Sequence, residues 1–135
     1  MRRPGLALGA VLLSGLVVTL LPLAGLLRRS WPWRVAVEGH SMEPTLRAGD
    51  WLLVDPQAYH RRSPQTGELV VVRDPRQPER WLVKRVTSID RDARLSVAGD
   101  HPAHASEAVP PVEPGLVVGR PWLRYWPPDR VGRLA

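Results

Sequence analysis

The sequence contains no cysteine and no phenylalanine, and lysine occurs once, at Lys84. Without cysteine there are no disulfides, no thiolate metal sites and no cysteine nucleophile. Without phenylalanine, any core aromatics have to come from the six Trp and two Tyr. At 135 residues the chain holds at most one compact domain. Residues 5–27 carry no charge, and the 108 residues beyond them are enough for one small core. A two-domain nucleotide enzyme or an α/β barrel does not fit. The formal net charge is +6, yet the basic residues are scattered, with neither a basic stripe nor an aromatic platform. Nucleic acid is therefore not an expected partner. Eighteen of the 19 basic residues are arginine. Lysine can lose its proton when buried and arginine in effect cannot, so Lys84 is a candidate for work that needs a neutral amine.

Arg2 and Arg3 precede an apolar run, 6–27, long enough to span a bilayer as a helix. A cleavable signal peptide has a shorter apolar region and a small-residue cleavage site, so a retained anchor is the expectation. Trp31 and Trp33, just past Arg28 and Arg29, suit the aromatic belt of a membrane interface. The flanking arginines nearly balance, so charge does not set the orientation. The expected domains are an anchor over 1–29 and a folded part over 30–135.

Thirteen prolines follow Arg28, and only the gap 79–101 exceeds twenty residues. Long helices are therefore not expected. Short apolar or β-branched segments at 34–38, 51–54, 69–72, 81–86, 95–98 and 116–118 are bounded by Gly, Pro or Asp and read as strands. Gly49-Asp50 and Gly99-Asp100 read as turns, 61–67 as a loop and 100–114 as a polar, proline-rich connection. The expected fold class is mainly β: one N-terminal transmembrane helix followed by a small irregular β-sheet or barrel-like domain.

The segment Gly39-His40-Ser41-Met42-Glu43-Pro44-Thr45-Leu46 follows the first strand. Gly39 permits a tight turn and Pro44 ends an extended continuation. A serine at such a tip can aim its hydroxyl and its backbone N–H into one cleft, as a nucleophile with an oxyanion donor requires. It can equally just cap a turn. In Trp81-Leu82-Val83-Lys84-Arg85-Val86, alternation puts Leu82, Lys84 and Val86 on one face and leaves Arg85 as a solvated charge on the other. Facing inward, Lys84 would be desolvated and able to act as a base toward Ser41. Facing outward, its stem would lie along the surface. His101 and His104 beside Asp100 and Glu107 form only a weak metal signal on a proline-containing loop, so no metal is expected. His40 adjoins Ser41 and is badly placed to reach its hydroxyl in a triad. These histidines read as exposed loop residues.

The ordered segments Ser41-Met42-Glu43-Pro44-Thr45-Leu46, Gly67-Glu68-Leu69-Val70-Val71-Val72, Val83-Lys84-Arg85-Val86 and Gly99-Asp100 resemble the sequence boxes of type I signal peptidases. The tail from Val118-Gly119-Arg120 to Arg124-Tyr125-Trp126-Pro127 is similar to that family's closing segment. The resemblance implies a membrane-anchored serine endopeptidase with a Ser/Lys dyad and no cofactor, on a β-rich fold. Such enzymes remove signal peptides from exported precursors on the outer face of the membrane. It implies Ser41 as nucleophile, Lys84 as general base and the Ser41 N–H as an oxyanion donor. Many members carry a hydroxyl two residues earlier, where this chain has Gly39. The substrate is expected to lie extended, with an Ala-X-Ala pattern held in shallow pockets walled by Val35, Val37, Met42, Leu46, Leu82 and Val83, all apolar.

The last box departs from the family pattern. The serine that would orient the lysine appears as Ala105, with Ser106 one place on as its possible substitute, and the family's closing Asp–Arg pair is missing. Fourteen residues separate Lys84 from Gly99, so the large insert of some members is absent. Alternatives left open are a maturation protease dedicated to one secreted metalloenzyme precursor such as nickel superoxide dismutase, a self-cleaving protein, and a catalytically impaired membrane-bound binding module.

Overall fold

The structure, a computed structural model, describes residues 32–104 and 108–135. The whole expected anchor 1–29 with its apolar run 6–27, and the three positions Ala105, Ser106 and Glu107, lie outside the described residues. No helix among the described residues is long and apolar enough to cross a membrane. Among the described residues seven strands form one antiparallel sheet: β1 (Trp33–Ala36), β2 (Trp51–Asp55), β3 (Leu69–Asp74), β4 (Gln77–Ile89), β5 (Leu95–Ala98), β6 (Val117–Trp126) and β7 (Gly132–Arg133). Their order is β1-β2-β6-β3-β4-β5, with β7 also on β6. The mainly β expectation holds.

Strand β6 is shared by two halves of the sheet. Its first residues pair with β3, through Gly119 opposite Val71, and its later ones with β2, through Leu123 opposite Leu53. The sheet turns at this changeover, where the chain at Gly119 passes so close to β2 that a Cβ would lie 2.4 Å from the Asp55 carbonyl oxygen. Glycine is the residue that fits such an approach.

Strand β6 is longer than the expected 116–118, and β4 extends on both sides of 81–86. Pro121 and Pro78 had argued against long strands. Pro121 instead stands opposite Val54, at a shift in register, where a missing N–H costs the ladder least. Pro78 falls in the irregular stretch between the Asp74–Gln77 and Arg73–Trp81 pairings.

Among the described residues the buried apolar side chains form three clusters. Val70, Val72, Leu82, Val86, Leu95, Val97 and Val112 fill one side of β3, and Val37, Met42, Leu46, Leu52 and Leu69 lie under the loop after β1. Val54, Val71 and Val118 complete the core. Residues 69–72 are buried on both strand faces, which is why that segment is an unbroken apolar run. Each fully buried Val or Leu contributes about 1.5–3 kcal/mol. The fully buried residues are non-aromatic, the aromatics packed against them are the partly buried Tyr59 and Trp81, and Trp33, Trp51, Trp122 and Trp126 are exposed.

Candidate active site

The loop between β1 and β2 is held at its base by a buried carboxylate. Asp50, 1% exposed, accepts hydrogen bonds from Arg130 Nη1 at 2.7 and 3.0 Å and from the Arg47 N–H at 2.9 Å. Arg124 approaches it to 3.5 Å and donates to the Thr45 carbonyl at 3.0 Å. The C-terminal segment thereby fixes the loop from below. At the top, Gly39 has φ of +75°, the left-handed conformation that favours glycine, and lets the chain turn into His40 and Ser41. The Leu46 N–H to Met42 carbonyl bond of 2.9 Å closes the turn behind them.

Strand β4 brings the other half. Leu82, Lys84 and Val86 are all buried, as alternation predicts, and Lys84 is 5% exposed. Its Nζ lies 3.1 Å from Ser41 Oγ, within hydrogen-bond reach across 43 residues of sequence. The Gly99-Asp100 turn packs against the same loop. The His101 N–H donates to the Ser41 carbonyl at 2.9 Å, and a Cβ on Gly99 would stand 2.3 Å from that oxygen.

Arg85 is not the solvated charge expected of it. It donates from Nε and Nη2 to the two oxygens of Asp100, each at 2.8 Å, and from Nη1 to the Gly67 carbonyl at 2.7 Å. Thr45 Oγ1 donates to Asp100 Oδ2 at 2.7 Å. Hydrogen bonding from Arg85 holds the Asp100 carboxyl below the usual aspartate range, outweighing partial burial, with Thr45 adding to the effect. Thr45 and the Arg85–Asp100 pair went unnoticed in the sequence. The available signal was that alternation turns Arg85 away from Lys84, toward the side on which the Gly-Asp turn has to return.

Ser41 and Lys84 stand in a cleft of about 570 Å³ that runs between β1 and the first half of β4. Val35, Val37, Met42, Leu82 and Val83 line it. Leu46 does not act as a wall. It is fully buried in the cluster beneath Val37 and Met42, because the turn after Ser41 carries it under the loop. Ser106, the candidate lysine-orienting residue, lies outside the described residues. His40 turns to Glu43, with Nδ1 and Oε1 2.8 Å apart. His101 and His104 are half-buried rather than exposed, their rings 5.0 Å apart. Among the described residues no group of three or more His, Cys, Asp or Glu could hold a metal ion.

A hydroxyl beside a buried amine, in a cleft flanked by two strand edges of an antiparallel sheet, is a site of the kind found in β-sheet peptidases that use serine and lysine. The chain belongs to the signal peptidase, peptidase S26 family, whose model matches residues 10–98. It is 32% identical over 121 residues to mitochondrial inner membrane protease subunit 2 of Danio rerio, covering 73% of this chain and 66% of that one. It is 32% identical over 123 residues to mitochondrial ATP-independent inner membrane protease subunit 1a of Arabidopsis thaliana, covering 73% of each. The Mus musculus subunit 2 is 30% identical over 121 residues, covering 73% of this chain and 69% of that one.

Proposed function

We propose that the chain is a membrane-anchored serine endopeptidase that removes N-terminal targeting peptides from precursor proteins after small residues. The observation that carries this is the 3.1 Å approach of Lys84 Nζ to Ser41 Oγ at the head of the cleft. Burial penalises an ammonium more than a neutral amine, so a lysine enclosed by Leu82 and Val86 is suited to accept a proton. Lys84 takes the proton of the Ser41 hydroxyl as Oγ attacks the scissile carbonyl. The oxyanion forms near the Ser41 N–H, while Gly39 supplies no side-chain donor. Lys84 then passes its proton to the leaving amine, and the ester on Ser41 is hydrolysed by a water that Lys84 deprotonates in turn.

Neighbouring strand edges suit an extended peptide, which completes the sheet by β-augmentation while its alternate side chains enter the floor. Val35, Val37, Met42, Leu82 and Val83 leave room there for small side chains such as those of Ala-X-Ala. The uncharged run 5–27 and the membrane proteases among the relatives support an anchor over 1–29, with 30–135 as the catalytic domain on the outer face of a cell membrane. A dedicated maturation protease is the second reading, favoured by the absence of a large insert between Lys84 and Gly99 and by Ala105 in the last box, which departs from the family pattern.

Cleavage of a tagged Ala-X-Ala precursor by the detergent-purified full chain, beside Ser41→Ala, tests the proposal. Cutting after the second alanine by the wild type alone is the expected result. Equal cutting by the variant overturns Ser41 as nucleophile. Cutting of one precursor and refusal of all others decides for the dedicated enzyme.

A further inference from the structure

The face of β1 that carries Val35 and Val37 also carries Trp33, two residues further from Ser41. On β4, Trp81 and Val83 share a face by the same alternation. Trp33 and Trp81 meet ring to ring, centroids 5.3 Å apart with 24° between planes. Ser41 meets Lys84 at the other end, so β1 and β4 run side by side in one direction although they are not neighbours in the sheet. The apolar residues therefore fall in three ranks: Val37 with Met42, then Val35 with Val83, then the two indoles, of which Trp81 lines the cleft and Trp33 stands stacked on it just beyond the lining. The Arg73 guanidinium lies over the Trp81 ring, 5.7 Å from its centroid, and holds that ring from a second side. Trp33 remains 41% exposed, with area to cover.

Resting on the proposed endopeptidase, we propose that Trp33 and Trp81 form a third subsite, which takes a large apolar side chain on the fifth substrate residue back from the cut. In the proposed pose the peptide runs parallel to β1 with its cut at Ser41, so the residues before the cut lie toward Trp33. Successive odd positions turn to the same face of an extended strand, and four residues span about 13 Å on both peptide and β1. The fifth side chain thus reaches the level of Trp33 as the first reaches that of Val37. An indole stack rewards aliphatic or aromatic area and cannot solvate a carboxylate. The fourth side chain points away from the floor and is under no such demand.

The test uses the full chain in detergent and peptides with Ala at the first and third positions back from the cut. Leu, Ala or Asp is placed at the fifth, and separately at the fourth. The expected result is kcat/KM higher for Leu than for Asp by about tenfold at the fifth position and by less than about twofold at the fourth. Trp33→Ala should bring the fifth-position ratio within about twofold and Trp33→Phe should keep most of it. An unchanged ratio in Trp33→Ala, or an equal loss on every peptide, overturns the subsite. Binding of the same peptides to Ser41→Ala, followed by tryptophan fluorescence, separates the two proposals. A Leu preference there without cleavage by the wild type supports the subsite and sinks the peptidase. Absence of the preference, with cleavage intact, sinks the subsite alone.

Discussion

Arg85 and Asp100 meet through two 2.8 Å hydrogen bonds, Nε to Oδ1 and Nη2 to Oδ2, so that the residue after Lys84 is tied to the turn packed on Ser41. Thr45 joins the same carboxylate from the serine loop at 2.7 Å. The two halves of the site, brought together from 43 residues apart, are thus locked by one carboxylate. Asp100→Ala is expected to lower stability by about 2 kcal/mol, read by denaturant unfolding. It should also lower kcat more than it raises KM, because it loosens the approach of Lys84 to Ser41 without touching the cleft floor. Asp100→Asn keeps one acceptor oxygen and should fall between, and a change confined to KM would remove Asp100 from a positioning role.

The same pair sets an acid limit. Asp100 titrates below its ordinary value in the folded chain, chiefly because of Arg85. The folded state therefore binds this proton less readily than the unfolded state. The stabilisation is fully present above the unfolded carboxyl range, near pH 4, and is lost as pH falls through the lower folded value. The stability gap between wild type and Asp100→Asn should accordingly be constant from about pH 5 to 7 and close below about pH 4. Denaturant midpoints across that range check it, and a gap unchanged at pH 3 would remove this linkage.

Lys84→Arg tests the need for a base. Guanidinium keeps its proton and the longer side chain does not fit the same space, so activity should fall by roughly 10²–10⁴-fold. Cleavage at the wild-type rate in this variant would end the assignment of Lys84, and with it the dyad.

Gly99→Ala places a methyl 2.3 Å from the Ser41 carbonyl oxygen, a backbone atom with no freedom to yield. Ser41 has to shift, and its loop is anchored by Asp50 and Arg130. Proteolytic activity should drop at least about tenfold while far-UV circular dichroism stays near native, since a misplacement of this size at a reacting group commonly costs that much or more. Full activity in Gly99→Ala would mean that the turn does not hold the serine.

Asp50→Asn addresses the base of the loop. It leaves Arg124 and Arg130 beside a neutral amide in a buried setting, and removing one partner of a buried pair typically costs about 3–5 kcal/mol. A loss below about 1 kcal/mol in denaturant unfolding would show that the arginines find other partners.

The strands around Lys84 and at 69–72 were legible because their apolar residues repeat every second position or run without a break between Gly and Pro. Ser41 and Lys84 stood out by setting and by rarity, and the geometry places them in contact. Leu46 is a wall only by the resemblance, because position in a sequence box does not reveal that the turn carries it beneath the loop. The Arg85–Asp100 pair was illegible for a related reason. Its partners lie 15 residues apart, on a strand and a turn whose approach is fixed only when β5 closes on β4. The lengths of β4 and β6 were underestimated because proline was read as a terminator, whereas Pro78 and Pro121 sit at irregularities that need no N–H.

The flank of β1 that faces β4 has a consequence beyond catalysis. An open edge of a β-sheet will accept a strand from any chain, including a second copy of the same protein, and such edges seed aggregation when nothing blunts them. Here the cleft recesses that edge, and Glu38, Arg76, Glu79 and Arg80 place charge along the lining. An intruding strand meets both signs of charge beside it. Charge of both signs beside the recessed edge thus works against its pairing with the edge of a second folded sheet.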